Sequence, residues 1–362
     1  MKPFSVKSLV RPHLLNLKPY ASARSEFSGE AQAWLDANEN AYGTPGRSIE
    51  TAFHRYPDPY QVALKQRISE INNVAVDHIF LGNGSDEVID LLIKVFCQPG
   101  VDNIVSLPPT FGMYEVAASI NDVKVKSASL TADYQIDRAA VEKAIGKNTK
   151  IIFFCTPNNP TGNLLATNDI LYFLENFAGL VVVDEAYIDF TDQPSFLEKL
   201  ADYPNLVVLQ TFSKAWGMAA LRLGTAFASP EVLEFLNKVK MPYNVSTLTQ
   251  QTALEVLQKT EQYQSYIAAI KNQRNGLVNE LQSLETVEKI HPSDANFVLI
   301  KFTNAPEVYQ FLVDQGVIVR NRSSVRLCEG GLRITVGTER ENHLLVDAIS
   351  QYQPKAESTL SN

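Results

Sequence analysis

From about residue 75 onward the chain alternates between two hydrophobic textures. Short unbroken apolar runs such as HIFL (78–81), NIVSL (103–107), KIIFFC (150–155), LVVVD (180–184) and LVVLQ (206–210) read as strands, joined by VKVKSASL (123–130). Between them, apolar residues recur every three or four positions in SDEVIDLLIKVF (85–96), TFGMYEVAASI (110–120), RAAVEKAI (138–145) and TNDILYFLENF (167–177). That spacing predicts helices. Runs such as IIFF and LVVV lack the polar alternation of a half-exposed strand, which predicts a parallel sheet covered on both faces. The alternation as a whole predicts an α/β layered domain.

Near residue 230 the texture changes. SPEVLEFLNKV (229–239) and a long, broken stretch from Thr247 to Leu284 read as helices with no strand between them. Four short strands follow, TVEKI (286–290), NFVLIK (296–301), VIVR (317–320) and LRITV (332–336), with a helix from Pro306 to Gln315 and another after Gly337. This pattern predicts a smaller α+β domain. The expected division is a large domain over 30–245, a small one from 1–29 and 246–352, and a frayed tail over 353–362 without apolar anchors.

Length agrees: 362 residues suit two domains at roughly 150 residues each. With 45% hydrophobic and 20% charged residues, a large core is expected and intrinsic disorder is not. A net charge of -8 argues against nucleic-acid binding, which relies on a positive field. Cys97, Cys155 and Cys328 form no CxxC pair and read as reduced, buried thiols of a cytoplasmic protein. No apolar run approaches 18 residues, and MKPFSVKSLVRPHLL lacks the apolar stretch of a signal peptide, so neither a membrane span nor secretion is expected. Five scattered histidines without HxxxH spacing predict no metal site.

Five local signals sit where α/β enzymes place their chemistry, at the carboxyl ends of strands. LGNGSDE (81–87) is a glycine turn opening a helix, where the amides of Gly84, Ser85 and Asp86 could bind an anion; an ordinary N-capped turn is the plainer reading. A third glycine is missing, so a dinucleotide fingerprint is not supported. CTPNNPTGN (155–163) is a proline-stiffened loop directly after a buried strand. LVVVDEAY (180–187) ends a strand on Asp184, with Tyr187 shortly after; no GxxxxGK[ST] loop accompanies it, which excludes an ATPase. A carboxylate there wants a cation. In TFSKAWGMAALRLG (211–224), Lys214 could be a surface lysine, half of a Ser-Lys dyad without an oxyanion hole, or an amine made nucleophilic by apolar surroundings. In that last reading Thr211, Ser213 and Arg222 clamp a phosphate. Arg320 and Arg333, in apolar strands, want anionic partners, structural or bound. Together these residues read as the protein half of a pyridoxal-phosphate site.

In combination, NNPTG, VVVDEAY and TFSKAWGMAALRLG resemble the fold-type I pyridoxal-phosphate aminotransferases of the aspartate aminotransferase superfamily, over about residues 10–350. The family's SFSK stands here as TFSK. Within that superfamily the chain is most similar to the histidinol-phosphate aminotransferases of class II. That similarity rests on VRPHLLNLKPYASAR (10–24), LDANENAYG (35–43), RYPDP (55–59), GNGSDE, PPTFGMY (108–114) and LRITVGT (332–338). The resemblance implies a large domain with a mostly parallel seven-stranded sheet between helices, and a smaller α+β domain.

It also implies roles. Lys214 would bond the cofactor and shuttle a proton, Asp184 would pair with its ring nitrogen, and Tyr187 and Asn158 would hold its phenolic oxygen. Phe111 would stack on the ring. Gly84, Ser85, Asp86, Thr211, Ser213 and Arg222 would hold its phosphate, with Tyr56 reaching in from the other subunit of a homodimer. Tyr20, Asn38, Arg320 and Arg333 would bind the substrates. Those substrates would be histidinol phosphate and 2-oxoglutarate, exchanged for imidazole acetol phosphate and glutamate by ping-pong transamination in histidine biosynthesis. An aromatic-amino-acid aminotransferase or a threonine-phosphate decarboxylase on the same scaffold is the alternative. A non-catalytic binding module has no need of the intact Lys214, Asp184, Tyr187 and Asn158 set.

Overall fold

The computed structural model describes residues 4–20, 32–49 and 53–353. Two sheets organise them. The larger has seven strands in the order β1 (Ile79–Asn83), β7 (Leu223–Ala228), β6 (Leu206–Thr211), β5 (Leu180–Asp184), β4 (Thr149–Cys155), β2 (Asn103–Ser106) and β3 (Lys124–Ser127). Neighbours from β6 to β3 run parallel, and β7 is antiparallel to both β6 and β1. The predicted strands are therefore present, with one addition. LGTAFA (223–228) follows the lysine loop directly and is the antiparallel member, hidden in sequence because it continues a motif read for chemistry.

The unbroken apolar runs are explained by cover on both faces. Phe80, Ile151, Phe153, Val182, Leu209 and Ala226 point to one side, against the helices Ser85–Phe96, Met113–Ile120 and Pro230–Val239. Their neighbours Leu81, Ile152, Phe154, Val183, Val208 and Phe227 point to the other, toward Val62–Asn72 and Thr167–Asn176. Each strand thus alternates between two cores, as the pleat requires.

The smaller sheet is antiparallel, in the order β10 (Arg320–Asn321), β11 (Gly331–Thr335), β9 (Phe297–Phe302) and β8 (Val287–Ile290). Its own core joins Val298, Ile300 and Leu332 to Leu277, Leu312 and Leu345 from three helices. VIVR, predicted as a full strand, is paired only at its end, because β10 has two residues.

Residues 6–14, expected on the smaller domain, pack elsewhere. Val6, Leu9, Val10 and Leu14 are buried in the large-sheet core, and the Arg11 amide donates to the Val95 carbonyl at 3.0 Å. Apolar spacing tells that a segment is buried but not against which sheet. The predicted long helix is broken into Thr247–Val256 and Thr260–Leu281; Ala253 and Leu257 enter the large core, and Leu277 and Leu281 the small one. Cys97, Cys155 and Cys328 are buried and unpaired. Among the described residues no helix is long and apolar enough to cross a membrane. The expected tail over 353–362 falls, beyond residue 353, outside the described residues.

Phe154 is fully buried and its ring centroid lies 5.7 Å from that of Phe173 on a covering helix. Phe154→Ala is expected to lower stability by about 3–5 kcal/mol, read from the denaturant midpoint; a loss below 1 kcal/mol would contradict this packing.

Candidate active site

The first wall of the site is built by glycines. Gly84 leaves β1 with φ +79° and opens the twelve-residue helix Ser85–Phe96. A Cβ on Gly224 of β7 would lie 2.2 Å from the Ser85 nitrogen, so only glycine there lets the helix start sit against the strand. This aims the helix N-terminus, with its free amides and positive dipole end, past the sheet edge. Arg222, held at φ +53°, reaches the same place: one guanidinium nitrogen lies 3.3 Å from Asp86, and the other donates to Ala219 O at 3.1 Å and to Ser213 Oγ at 3.5 Å. Ser85, Asp86, Thr211, Ser213 and Arg222 are among the residues lining a cavity of about 440 Å³. Gly84 supplies the turn.

Asp184 ends β5 inside the apolar sheet, only 2% exposed. Burial pushes its carboxyl up to about 6, while hydrogen bonds from Tyr114 and the Ala186 amide, and the Lys214 charge, oppose the rise. The Tyr114 hydroxyl donates to Asp184 Oδ2 at 2.6 Å, and the Ala186 N–H to Oδ1 at 3.1 Å. Tyr114 is itself fully buried, stacked on Phe153 at 4.6 Å and met edge-on by Phe111 at 5.6 Å. Phe111 lines the cavity.

The next residue, Glu185, points away. It accepts from Ser195 Oγ at 2.5 Å, the Phe196 amide at 2.7 Å and Gln210 at 3.0 Å, and burial pushes it up to about 7. Successive residues at a strand end face opposite sides, so only Asp184 serves the cavity.

Lys214 follows β6, and its Nζ lies 5.8 Å from the Tyr187 ring centroid. Burial, then the charges of Arg333 and Arg222, lower its ammonium pKa. That favours the neutral, nucleophilic amine.

The asparagine assignment is off by one residue. Asn158 is spent on its own loop: its amide nitrogen donates to Pro109 O at 2.8 Å and Thr161 Oγ1 at 2.7 Å, and its oxygen accepts from Thr110 at 2.9 Å. Asn159 is the one at the cavity, donating to the Tyr187 hydroxyl at 3.3 Å and accepting from Arg333 at 2.5 Å. Two adjacent asparagines in one loop offer no sequence signal for which of them turns inward.

Other lining residues come from the small sheet. Arg320, Arg333 and a third arginine not singled out from sequence, Arg322, line the same cavity as Lys214. Tyr20, Asn38 and Tyr56 are not brought there. Tyr20 is 74% exposed, while Asn38 and Tyr56 line a separate cavity of about 650 Å³ with Tyr243, on whose ring Tyr56 stacks at 4.6 Å. Tyr114 was also missed as a site residue, although PPTFGMY contains it.

These residues fit pyridoxal phosphate. Asp184 is a buried carboxylate within a salt-bridge distance of no lysine or arginine among the described residues, and a protonated ring nitrogen would supply that cation. The helix start with Arg222 and two hydroxyls is a phosphate cradle, and Lys214 is an amine suited to an aldehyde.

Comparison with known proteins agrees. The model of the family described as aminotransferase class I and II matches residues 20–349. A histidinol-phosphate aminotransferase from Cytophaga hutchinsonii is 52% identical, covering 96% of this chain and 99% of its own. One from Parabacteroides distasonis is 49% identical over 95% of this chain and 98% of its own. Among solved structures, the Sinorhizobium meliloti histidinol-phosphate aminotransferase in complex with pyridoxal-5'-phosphate shares the fold, with a TM-score of 0.77 at 21% identity over 97% and 98% of the two chains. The Clostridium acetobutylicum structure of that name has a TM-score of 0.77 at 23% identity, over 83% and 91%.

Tyr114→Phe deletes the hydroxyl that favours the ionised form of Asp184. In the cofactor-free protein the Asp184 carboxyl, followed by carbon NMR, is expected to titrate above its parent value of about 6. An unchanged or lower midpoint would show that the hydroxyl does not hold the carboxylate.

Proposed function

The chain belongs to the aminotransferase class I and II family, and from that membership we propose that it interconverts L-histidinol phosphate and 2-oxoglutarate with imidazole acetol phosphate and L-glutamate. The observation that carries this reading is that three arginines, Arg320, Arg322 and Arg333, line the same cavity as Lys214. An amine donor presented to Lys214 meets guanidinium groups at its far end, which suits a donor bearing a phosphate and an acceptor bearing a second carboxylate.

Pyridoxal phosphate is the cofactor; when bound, it supplies the aldehyde that takes up the amino group and a ring that accepts the electron pair left on the substrate carbon. Asp184 would set a negative charge beside the ring nitrogen, and the Tyr114 hydroxyl orients that carboxylate and favours its ionised form. Ser85, Asp86, Thr211, Ser213 and Arg222 would hold the cofactor's phosphate, Asn159 and Tyr187 would hydrogen-bond its oxygen, and Phe111 would cover its ring. Lys214 Nζ would be the base that takes a proton from the substrate carbon bearing the amino group and later returns one. Its lowered pKa favours that role. The two substrates use the same cavity in turn, which gives ping-pong kinetics.

The enzyme works as a homodimer in the cytoplasm on this reading. In support, Tyr56 and Tyr243 line an open cavity in their own chain, away from Lys214, where a second copy could seat.

Half-reactions without an acceptor test the assignment. L-Histidinol phosphate is expected to bleach the visible band of the cofactor-loaded protein, and phenylalanine and threonine phosphate are not. Bleaching by phenylalanine alone would make it an aromatic aminotransferase, and carbon dioxide from threonine phosphate a decarboxylase. Lys214→Ala is expected to lower turnover by about 10²–10⁴-fold or more; retained turnover would overturn the role of Lys214.

A further inference from the structure

Arg320 in β10 lies directly opposite Arg333 in β11. The Arg322 amide donates to the Gly331 carbonyl at 2.9 Å, so the pairing continues past β10, and Arg322 sits two residues beyond Arg320 on the same face of the sheet. Three like charges at neighbouring positions of one sheet face repel each other. Among the described residues none of the three forms a salt bridge with a carboxylate. Arg333 donates only to the neutral amide oxygen of Asn159, and the Nε atoms of Arg322 and Arg333 are buried without a hydrogen-bond partner. Among the described residues the cluster has no anionic acceptor.

The three are not equivalent. Arg333 is tied through Asn159 to Tyr187, beside the reacting end of the cavity, and Arg320 is exposed at its rim. Arg322, like Arg333, is half-buried, and it makes no tie to Asn159. A carboxylate carries one negative charge and two oxygens, which two guanidinium forks satisfy. A phosphomonoester carries up to two charges on three terminal oxygens and can accept from a third fork.

We propose that Arg322 is a specificity-determining residue that makes this site favour a phosphate dianion over a carboxylate at the far end of the substrate. This rests on the transaminase reading given above and adds the residue that sets its preference. The same arginine still admits glutamate, at the cost of an unneutralised charge.

Arg322→Met in the cofactor-loaded protein tests this. The KM for L-histidinol phosphate is expected to rise at least about tenfold, the effect of losing one charge-assisted fork. By the same reasoning kcat is expected to stay within about twofold and the KM for glutamate to rise less than about threefold. Arg322→Lys, which keeps the charge and the stem but not the fork, should fall between; it also serves if the methionine variant does not fold. An unchanged KM for histidinol phosphate, or equal losses for both substrates, would overturn the assignment. If the parent enzyme itself does not react with histidinol phosphate, the functional reading falls, and binding of inorganic phosphate against glutarate still decides the role of Arg322. Phosphate affinity must then fall more than glutarate affinity in Arg322→Met, and equal changes refute it.

Discussion

A carboxylate set into an apolar sheet is the constraint around which this molecule is arranged. Asp184 occupies the last position of β5, where the preceding residues Leu180 to Val183 are fully buried. An ion there loses most of its hydration, and burial raises its pKa as expected. Two hydrogen bonds, from Tyr114 and the Ala186 amide, return part of that loss but supply no positive charge. The deficit defines what the cavity must receive: a group that brings a cation to Asp184 and, by the geometry of β1 and β7, an anion to the helix start at Ser85. Pyridoxal phosphate has both ends.

The rest of the fold serves the spacing between those ends. Strand β7 is antiparallel, and this reversal brings Arg222 and Gly224 back beside the start of Ser85–Phe96. The small sheet is coupled to the large one through the asparagine loop. Asp294, ahead of β9, takes the Gly162 carbonyl on its amide at 2.7 Å and the Leu164 amide on its carboxylate at 3.2 Å, and Arg333 of β11 bonds Asn159. The arginine face is thereby registered against the reacting end through one short loop.

Much of this was readable in the sequence, because burial on both faces leaves a one-dimensional trace. KIIFFC, LVVVD and LVVLQ could only be covered strands, and residues at their carboxyl ends were the natural candidates for chemistry. What sequence could not resolve depends on direction rather than position. Asn158 and Asn159 differ by one place in a tight loop, and the loop's own hydrogen bonds decide which of them faces the cavity. Tyr114 reads as a core aromatic, and its hydroxyl gains meaning only once Asp184 is 2.6 Å away. Arg322 lies beyond the apolar strand that made Arg320 conspicuous, and its face is set by the register of β11. Val6 to Leu14 show burial without saying against which layer.

Charge ties the local site to the whole chain. Five cationic and two anionic side chains line the cavity, in a protein whose net charge is -8. Such a site concentrates its field where the walls exclude water and draws anions from a surface that otherwise repels them. On the proposed reading the cofactor's phosphate would neutralise Arg222, and Lys214 would give up its own charge when it acts as an amine. The three arginines of the small sheet add further positive charge to the same cavity. Their number bears on the choice between a phosphorylated amine and an aromatic one: an aromatic donor would leave the half-buried Arg322 and Arg333 and the exposed Arg320 repelling one another, whereas a phosphate can neutralise the cluster.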